Sequence, residues 1–186
     1  MISKVISILV CITIFITSFF GINFNKFYDF FLQEELNISY GEDKQQTFDV
    51  YIPKTCDKET SLYFYIHGGA WIAGEKGTGL EHVKKKAKKY HIAAATVDYR
   101  LLVEGSHEKD CNTLMSDLYD AMAIIKKTLA QEGVSVKSCV VSGDSAGAHM
   151  ALLYSYLHKN DSPCKEWILQ QKRTLGRHST RHSEIR

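Results

Sequence analysis

The residues with the strongest claim to chemistry are Gly143-Asp144-Ser145-Ala146-Gly147, which follow the apolar pair Val140-Val141. A serine with glycine at both second neighbours suits a sharp strand-to-helix turn. The serine takes a strained backbone conformation there, and the glycines bring no Cβ to collide. A hydroxyl presented in that way is a nucleophile for acyl transfer. Such a pattern is common by chance, so its weight comes from a second motif, His67-Gly68-Gly69-Ala70-Trp71, placed after the apolar run Leu62-Tyr63-Phe64-Tyr65-Ile66. A glycine pair after a central strand lets backbone N–H groups face a carbonyl oxygen under attack. The expected oxyanion donors are Gly68, Gly69 and Ala70 on one side and Ala146, the residue after the nucleophile, on the other.

These motifs need strands beneath them. Gln46 to Tyr51 alternates, with Phe48, Val50 and Ile52 on one apolar path, and reads as a half-exposed strand closed by Pro53. Leu62 to Ile66 is a continuous apolar run, as expected of a strand covered on both faces, Ile92 to Val97 reads as the next buried strand, and Val136 to Val141 feeds the Ser145 turn. Helices are expected over Leu80 to Tyr90 and over Ala146 to His158. A third runs from Asn112 to Gln131, where Leu114, Met115, Leu118, Met122, Ile125 and Leu129 keep helical spacing until Gly133 stops it. Strands alternate with helices, so the fold class is α/β, a mostly parallel sheet with helices on both faces. Ser145 then lies at the carboxyl end of a strand, where open α/β sheets bind ligands. Gly74 to Gly79 reads as a flexible loop and Phe27 to Glu35 as a connector of no assigned form.

From Leu36 to His158 the chain resembles the α/β-hydrolase superfamily, in particular its esterase and lipase branch with an HGG-type oxyanion loop. It is similar there to hormone-sensitive-lipase-like and feruloyl-esterase-like enzymes. The matching segments keep family order: Gln46 to Pro53 as the early antiparallel strand, His67 to Trp71 as the oxyanion loop, Asp98-Tyr99-Arg100-Leu101 as the end of the next core strand, and Gly143 to Gly147 as the elbow. The resemblance implies a carboxylic ester hydrolase in which Ser145 forms an acyl-enzyme on a small-molecule ester, such as an acetyl or feruloyl group on a carbohydrate. A peptidase or amidase on the same fold shares the nucleophile and the hole. A non-catalytic reading stands beside both, either a truncated fragment or a membrane-tethered binding module.

In such enzymes the triad runs Ser, then Asp or Glu, then His along the chain, with the last two on loops after later strands. Only 41 residues follow Ser145, and no further strand pattern is visible in them. Asp161, His178 and His182 fit the chain order without the strands that would carry them. His149 lies one helical turn past the serine, with its ring directed along the helix. His67 is expected to brace the oxyanion loop, Asp144 to shape or charge the site, and Asp98 to make a structural salt link. The fold expected is thus an α/β-hydrolase lacking its C-terminal strands. Residues 36–160 form the N-terminal part of that domain and 161–186 an atypical tail. Four of the five arginines lie from Arg173 onward, the abrupt change in usage that a shifted reading frame would produce.

Composition narrows the partners. The formal net charge is +2, so nothing points to nucleic acid. The run Lys84-Lys85-Lys86-Ala87-Lys88-Lys89 reads as a solvated helix face, with a phosphate or lipid-headgroup patch as the alternative. Val5 to Phe24 is almost wholly apolar or small, with Lys4 before it and Lys26 after. It is long enough to cross a bilayer, so residues 1–26 are expected to be an uncleaved signal anchor or a cleaved signal peptide, with the domain membrane-anchored outside the cytoplasm or secreted. Cys56, Cys111, Cys139 and Cys164 form no C-x-x-C pair, and neither a cofactor nor a metal is expected. Disulfides are permissible in an exported domain, although Cys139 reads as a small core residue. Asn37-Ile38-Ser39 has the form of a glycosylation sequon. Oligomeric state is not written in these residues.

Overall fold

Strands that are apolar on both faces need cover from both sides, and the helices of this chain supply it. The computed structural model describes residues 32–102 and 110–159. In order, these form β1 (Leu32–Ser39), β2 (Thr47–Pro53), β3 (Glu59–Ile66), a 3-10 turn (Lys76–Gly79), α1 (Leu80–Tyr90), β4 (Ala93–Val97), α2 (Cys111–Gln131), β5 (Ser135–Gly143) and α3 (Ala146–Lys159). Along β3 the side chains alternate. Leu62, Phe64 and Ile66 join the core under α2 and α3, whereas Tyr63 and Tyr65 join the smaller core under α1 with Tyr51, Val83 and Ala87. The three alanines of β4 are fully buried, and their small side chains let both helical layers approach closely.

The sheet order is β1-β2-β4-β3-β5. β3 runs parallel to β4, from Leu62↔Ala93 to Ile66↔Val97, and parallel to β5, from Leu62↔Cys139 to Ile66↔Gly143. β2 is antiparallel to both β4 and β1. The chain leaves β3 toward β4 on one side and later returns to β5 on the other. β3 therefore ends at a switch in direction, the place where a crevice forms in open α/β sheets.

α2 starts on a capping box. The Asp110 carboxylate accepts the Thr113 N–H at 3.0 Å, and Thr113 Oγ1 accepts the Asp110 N–H at 3.3 Å. Every position of the expected apolar stripe is buried. So is Asp117, which is fully inaccessible. Its carboxylate accepts from Arg100 Nη2 at 2.6 Å, from Arg100 Nε, from the Arg100 backbone N–H at 2.9 Å and from Gln46 Nε2 at 2.9 Å. These bonds hold the Arg100 guanidinium pKa above its ordinary value and tie the exit of β4 to α2 and to the start of β2.

The expected α/β class holds in a mixed sheet, with parallel pairing confined to β3, β4 and β5 and β2 antiparallel, as expected of Gln46 to Pro53. Three expectations require correction. The connector reading of Phe27 to Glu35 gives way to strand β1 from Leu32 onward. Its residues do not alternate cleanly, because the register slips between Glu35 and Ile38 and Asn37 lies at φ +56°. Gly74 to Gly79 is not a loose loop. Lys76 Nζ donates to Asn37 Oδ1 at 2.8 Å and to Asp98 Oδ2 at 3.3 Å, and the Lys76 backbone N–H donates to Asp98 Oδ1. Cys139 is exposed rather than buried, because β5 pairs only with β3 among the described residues and its outer edge is open. Val140 on β5 and Leu152 and Tyr156 on α3 are exposed as well. Among the described residues no helix is long and apolar enough to cross a membrane, and Val5 to Phe24 lies outside them, as does Cys164.

Removing Asp117 would strand a partly buried guanidinium. Asp117→Ala is expected to cost about 3–5 kcal/mol in urea-induced unfolding. Asp110→Ala, which removes only a cap, is expected to cost about 1 kcal/mol in the same measurement.

Candidate active site

Ser145 stands two residues beyond the end of β5, exposed, at φ +48°. That left-handed backbone is the strained conformation expected of the elbow. The turn lies hard against the end of β3. A Cβ on Gly143 would stand 2.5 Å from the Ile66 carbonyl oxygen, and one on Gly147 would stand 2.6 Å from the His67 carbonyl oxygen. Glycine is required at both places by close approach. As α3 begins, the Asp144 carbonyl accepts the N–H groups of Gly147 and Ala148, and the Ser145 carbonyl accepts that of His149. None of these bonds uses the N–H of Ala146, one of the unsatisfied donors of a helix first turn.

The loop after β3 takes positive φ at three successive residues, Gly69 at φ +116°, Ala70 at +52° and Trp71 at +65°, and is strained at the two that carry a Cβ. The Gly69 carbonyl accepts from Ile72 and Ala73 N–H groups, and the Trp71 carbonyl accepts from Leu102 N–H at 2.9 Å. The loop is joined to the elbow through Asp144. Its Oδ1 accepts the Tyr65 hydroxyl at 2.7 Å and the Gly68 N–H at 3.0 Å. The Tyr65 hydrogen bond leads in holding the Asp144 carboxyl below its ordinary value, with the Gly68 N–H adding to it. Burial and the same carboxylate push the Tyr65 phenol up to about 12. The Gly68 N–H, expected among the oxyanion donors, is given to Asp144, and of the expected set the N–H groups of Gly69, Ala70 and Ala146 are not drawn on by that carboxylate.

His67 is buried, at 1% exposure, and braces this loop. Its Nδ1 lies 2.7 Å from the Gly68 carbonyl, so that nitrogen carries the proton, and its ring stacks on Tyr99 at 4.3 Å. The Tyr99 hydroxyl donates to the His67 carbonyl at 2.9 Å. Asp98 makes a structural link, with Lys76 as its partner, and approaches His67 Nε2 only to 3.9 Å. His149 is exposed and meets the Trp71 ring edge-on at 5.6 Å. No side-chain hydrogen bond to Ser145 Oγ is formed among the described residues. Asp161, His178 and His182 lie outside those residues, so neither an acid nor a base is located. No three His, Cys, Asp or Glu side chains among the described residues are grouped to hold a metal, and Cys56, Cys111 and Cys139 are free thiols.

Sequence reasoning missed the Tyr65–Asp144–Gly68 junction and the Lys76 anchor. The available signal was a tyrosine pair, Tyr63 and Tyr65, in a buried strand, since a buried phenol needs a partner for its hydroxyl.

Two measurements test this geometry. Because the folded-state pKa of Asp144 is lowered, the carboxylate contact holds at neutral pH and is lost only as pH falls through that lowered value. The Gly68 amide proton shift should therefore titrate below 3.8, the ordinary value of the carboxyl, when followed by NMR. Gly147→Ala, which forces a Cβ onto the end of β3, is expected to lower stability by roughly 1–3 kcal/mol in thermal unfolding.

The chain is similar to known proteins. The family model described as BD-FAE matches residues 48–183. A probable isoprenylcysteine alpha-carbonyl methylesterase of Oryza sativa subsp. japonica is 30% identical over 126 residues, covering 67% of this chain and 29% of the plant protein. An esterase of Acinetobacter venetianus is 31% identical over 96 residues, covering 52% of this chain and 29% of that protein. Among solved structures, esterase B of Lactobacillus rhamnosis superposes with a TM-score of 0.65 at 23% identity, over 74% of this chain and 44% of that one. The chain spans about a third or less of the length of the curated relatives it matches first. It belongs to the BD-FAE family, within the esterase-type α/β-hydrolases.

Proposed function

We propose that this chain carries the nucleophile and the oxyanion hole of a serine carboxylic ester hydrolase. The observation that carries the reading is Ser145 at φ +48° on the elbow, with the strained Gly69-Ala70-Trp71 loop held beside it by Asp144. In this mechanism Ser145 Oγ attacks the ester carbonyl carbon while a base takes its proton. The N–H groups of Gly69, Ala70 and Ala146 donate to the oxygen that gains charge. Collapse of that intermediate breaks the bond to the alcohol, which leaves with a proton, and water then cleaves the acyl-enzyme. The base and its orienting carboxylate lie outside the described residues, either in this chain or in polypeptide corresponding to the rest of the longer relatives.

An ester is favoured because the matched relatives are named as esterases. An amide is the second reading, supported by the 27% identity over 122 residues to a kynurenine formamidase of Salmo salar. Both substrates use the same nucleophile and hole. The N-terminal run Val5 to Phe24 belongs to the proposal as a membrane segment, on the strength of its length and hydropathy.

The test is hydrolysis of p-nitrophenyl acetate by the purified chain. Activity should fall to the level of the Ser145→Ala variant when that hydroxyl is removed, and wild-type activity equal to that variant would overturn the reading. Where hydrolysis is present, Asp144→Ala should lower kcat about tenfold or more by releasing the oxyanion loop, against the roughly 10²–10³ typical of losing one donor. Asp144→Asn, which keeps an acceptor for Gly68 and Tyr65, should restore most of it with KM little changed.

A further inference from the structure

We propose that the C-terminal half of α1, with Lys85, Lys86, Lys89 and Tyr90, docks on anionic lipid headgroups and holds the end of the sheet farthest from Ser145 against the membrane. The proposal rests on the reading of Val5 to Phe24 as membrane-inserted. Over Leu80–Tyr90 there are five lysines and one acidic residue, Glu81. Lys84 is used within the fold, with its Nζ 2.7 Å from Glu34 Oε1 and lying over the Tyr51 ring. Farther along the helix, Lys85 and Lys89 are exposed, and Tyr90 is 51% exposed at the helix end. Lys86 and Lys89 place their ammonium groups 5.7 and 5.1 Å from the centre of the Tyr90 ring. An exposed ring set among lysines, polar at its tip and apolar in its body, is the chemistry that suits a headgroup layer.

Sheet register decides which end of the molecule these residues occupy. Leu32 pairs with Pro53, and Tyr51 pairs with Ala94, which follows α1 after a short turn. The entry of the chain into β1 and the exit from α1 therefore share one end of the sheet. Leu32 also packs in one cluster with Val83 and Ala87 of α1. The opposite end holds Gly143 and Ser145. β5 alone, with nine residues, separates the ends by roughly 26–30 Å at ~3.3 Å per residue. From Phe24 to Leu32 is eight residues, which reach at most about 29 Å. A tether of that length keeps the domain beside the bilayer. Attraction between surface charges fades over about 8 Å at physiological ionic strength, so the lysines act only when their own end faces the lipid. In that pose Ser145 opens toward water, and the ester it meets is carried on a soluble or displayed molecule, not on a bilayer lipid.

The test uses the full chain reconstituted into vesicles of phosphatidylcholine alone and of phosphatidylcholine with phosphatidylserine. Alkaline carbonate extraction reports insertion, and amide hydrogen exchange over residues 80–90 reports docking. Exchange should slow several-fold in the anionic vesicles only. High salt or the variant Lys85→Glu/Lys86→Glu/Lys89→Glu should remove the difference, each lysine contributing roughly fivefold to surface partitioning. Equal exchange in both vesicles, with the chain inserted, overturns the docking face and leaves the anchor. Release by carbonate together with slowed exchange in anionic vesicles sinks the anchor and keeps the face. Release with equal exchange overturns both.

Discussion

The site depends on one close approach, the elbow pressed against the end of β3. Gly143 and Gly147 let the Ser145 turn sit on the carbonyls of Ile66 and His67 with no atoms between. That contact puts Ser145 beside the loop that leaves β3, because β3 and β5 are neighbours in a parallel sheet. Had the chain returned from α2 to the other side of β4, the same two motifs would lie on separate strands with no shared crevice. Topology thus makes two short motifs into one site.

Such a site is held under strain. Ala70, Trp71 and Ser145 all sit at positive φ, each costing of order 1–3 kcal/mol, and the surroundings must over-determine them. They do so with directed hydrogen bonds. Asp144 takes the Gly68 N–H and the Tyr65 hydroxyl, Tyr99 donates to the His67 carbonyl, and Leu102 donates to the Trp71 carbonyl. Tyr65 and Tyr99 reach the loop from opposite faces of the sheet, one from the α1 side and one from the α2 and α3 side. The loop is clamped between the two cores.

Buried charge fixes the rest of the frame. Asp117 and Arg100 join β4 to α2, and Asp98 and Lys76 join β4 to the turn before α1. Asp98 and Arg100 both lie just after Val97, so the end of β4 is pinned on each side. The Trp71 carbonyl accepts the Leu102 N–H from this same segment, and through it the frame supports the loop that leaves β3. The outer edge of β5 and the exposed face of α3 have no such frame among the described residues.

The sequence by itself determined the α/β class, the helices, the strands of the parallel core and the two motifs, because apolar periodicity and glycine spacing are local properties of the chain. It also marked Ser145, Gly68, Gly69, Ala70 and Ala146 as a candidate set, since each stands in one of the two motifs. Only the tertiary structure decided β1, whose polar residues form a strand because β2 offers an edge to pair with. It also decided the exposure of Cys139, which follows from the place of β5 at the rim, and the use of the Gly68 N–H, which follows from an aspartate 76 residues away. Asp117 shows the boundary between the two. Nothing in the apolar stripe of α2 singled it out, and its partners, Arg100 and Gln46, come from the segments just after β4 and just before β2, which meet it only when the layers pack. Long-range pairs of this kind depend on where the layers come to rest, which no local pattern encodes.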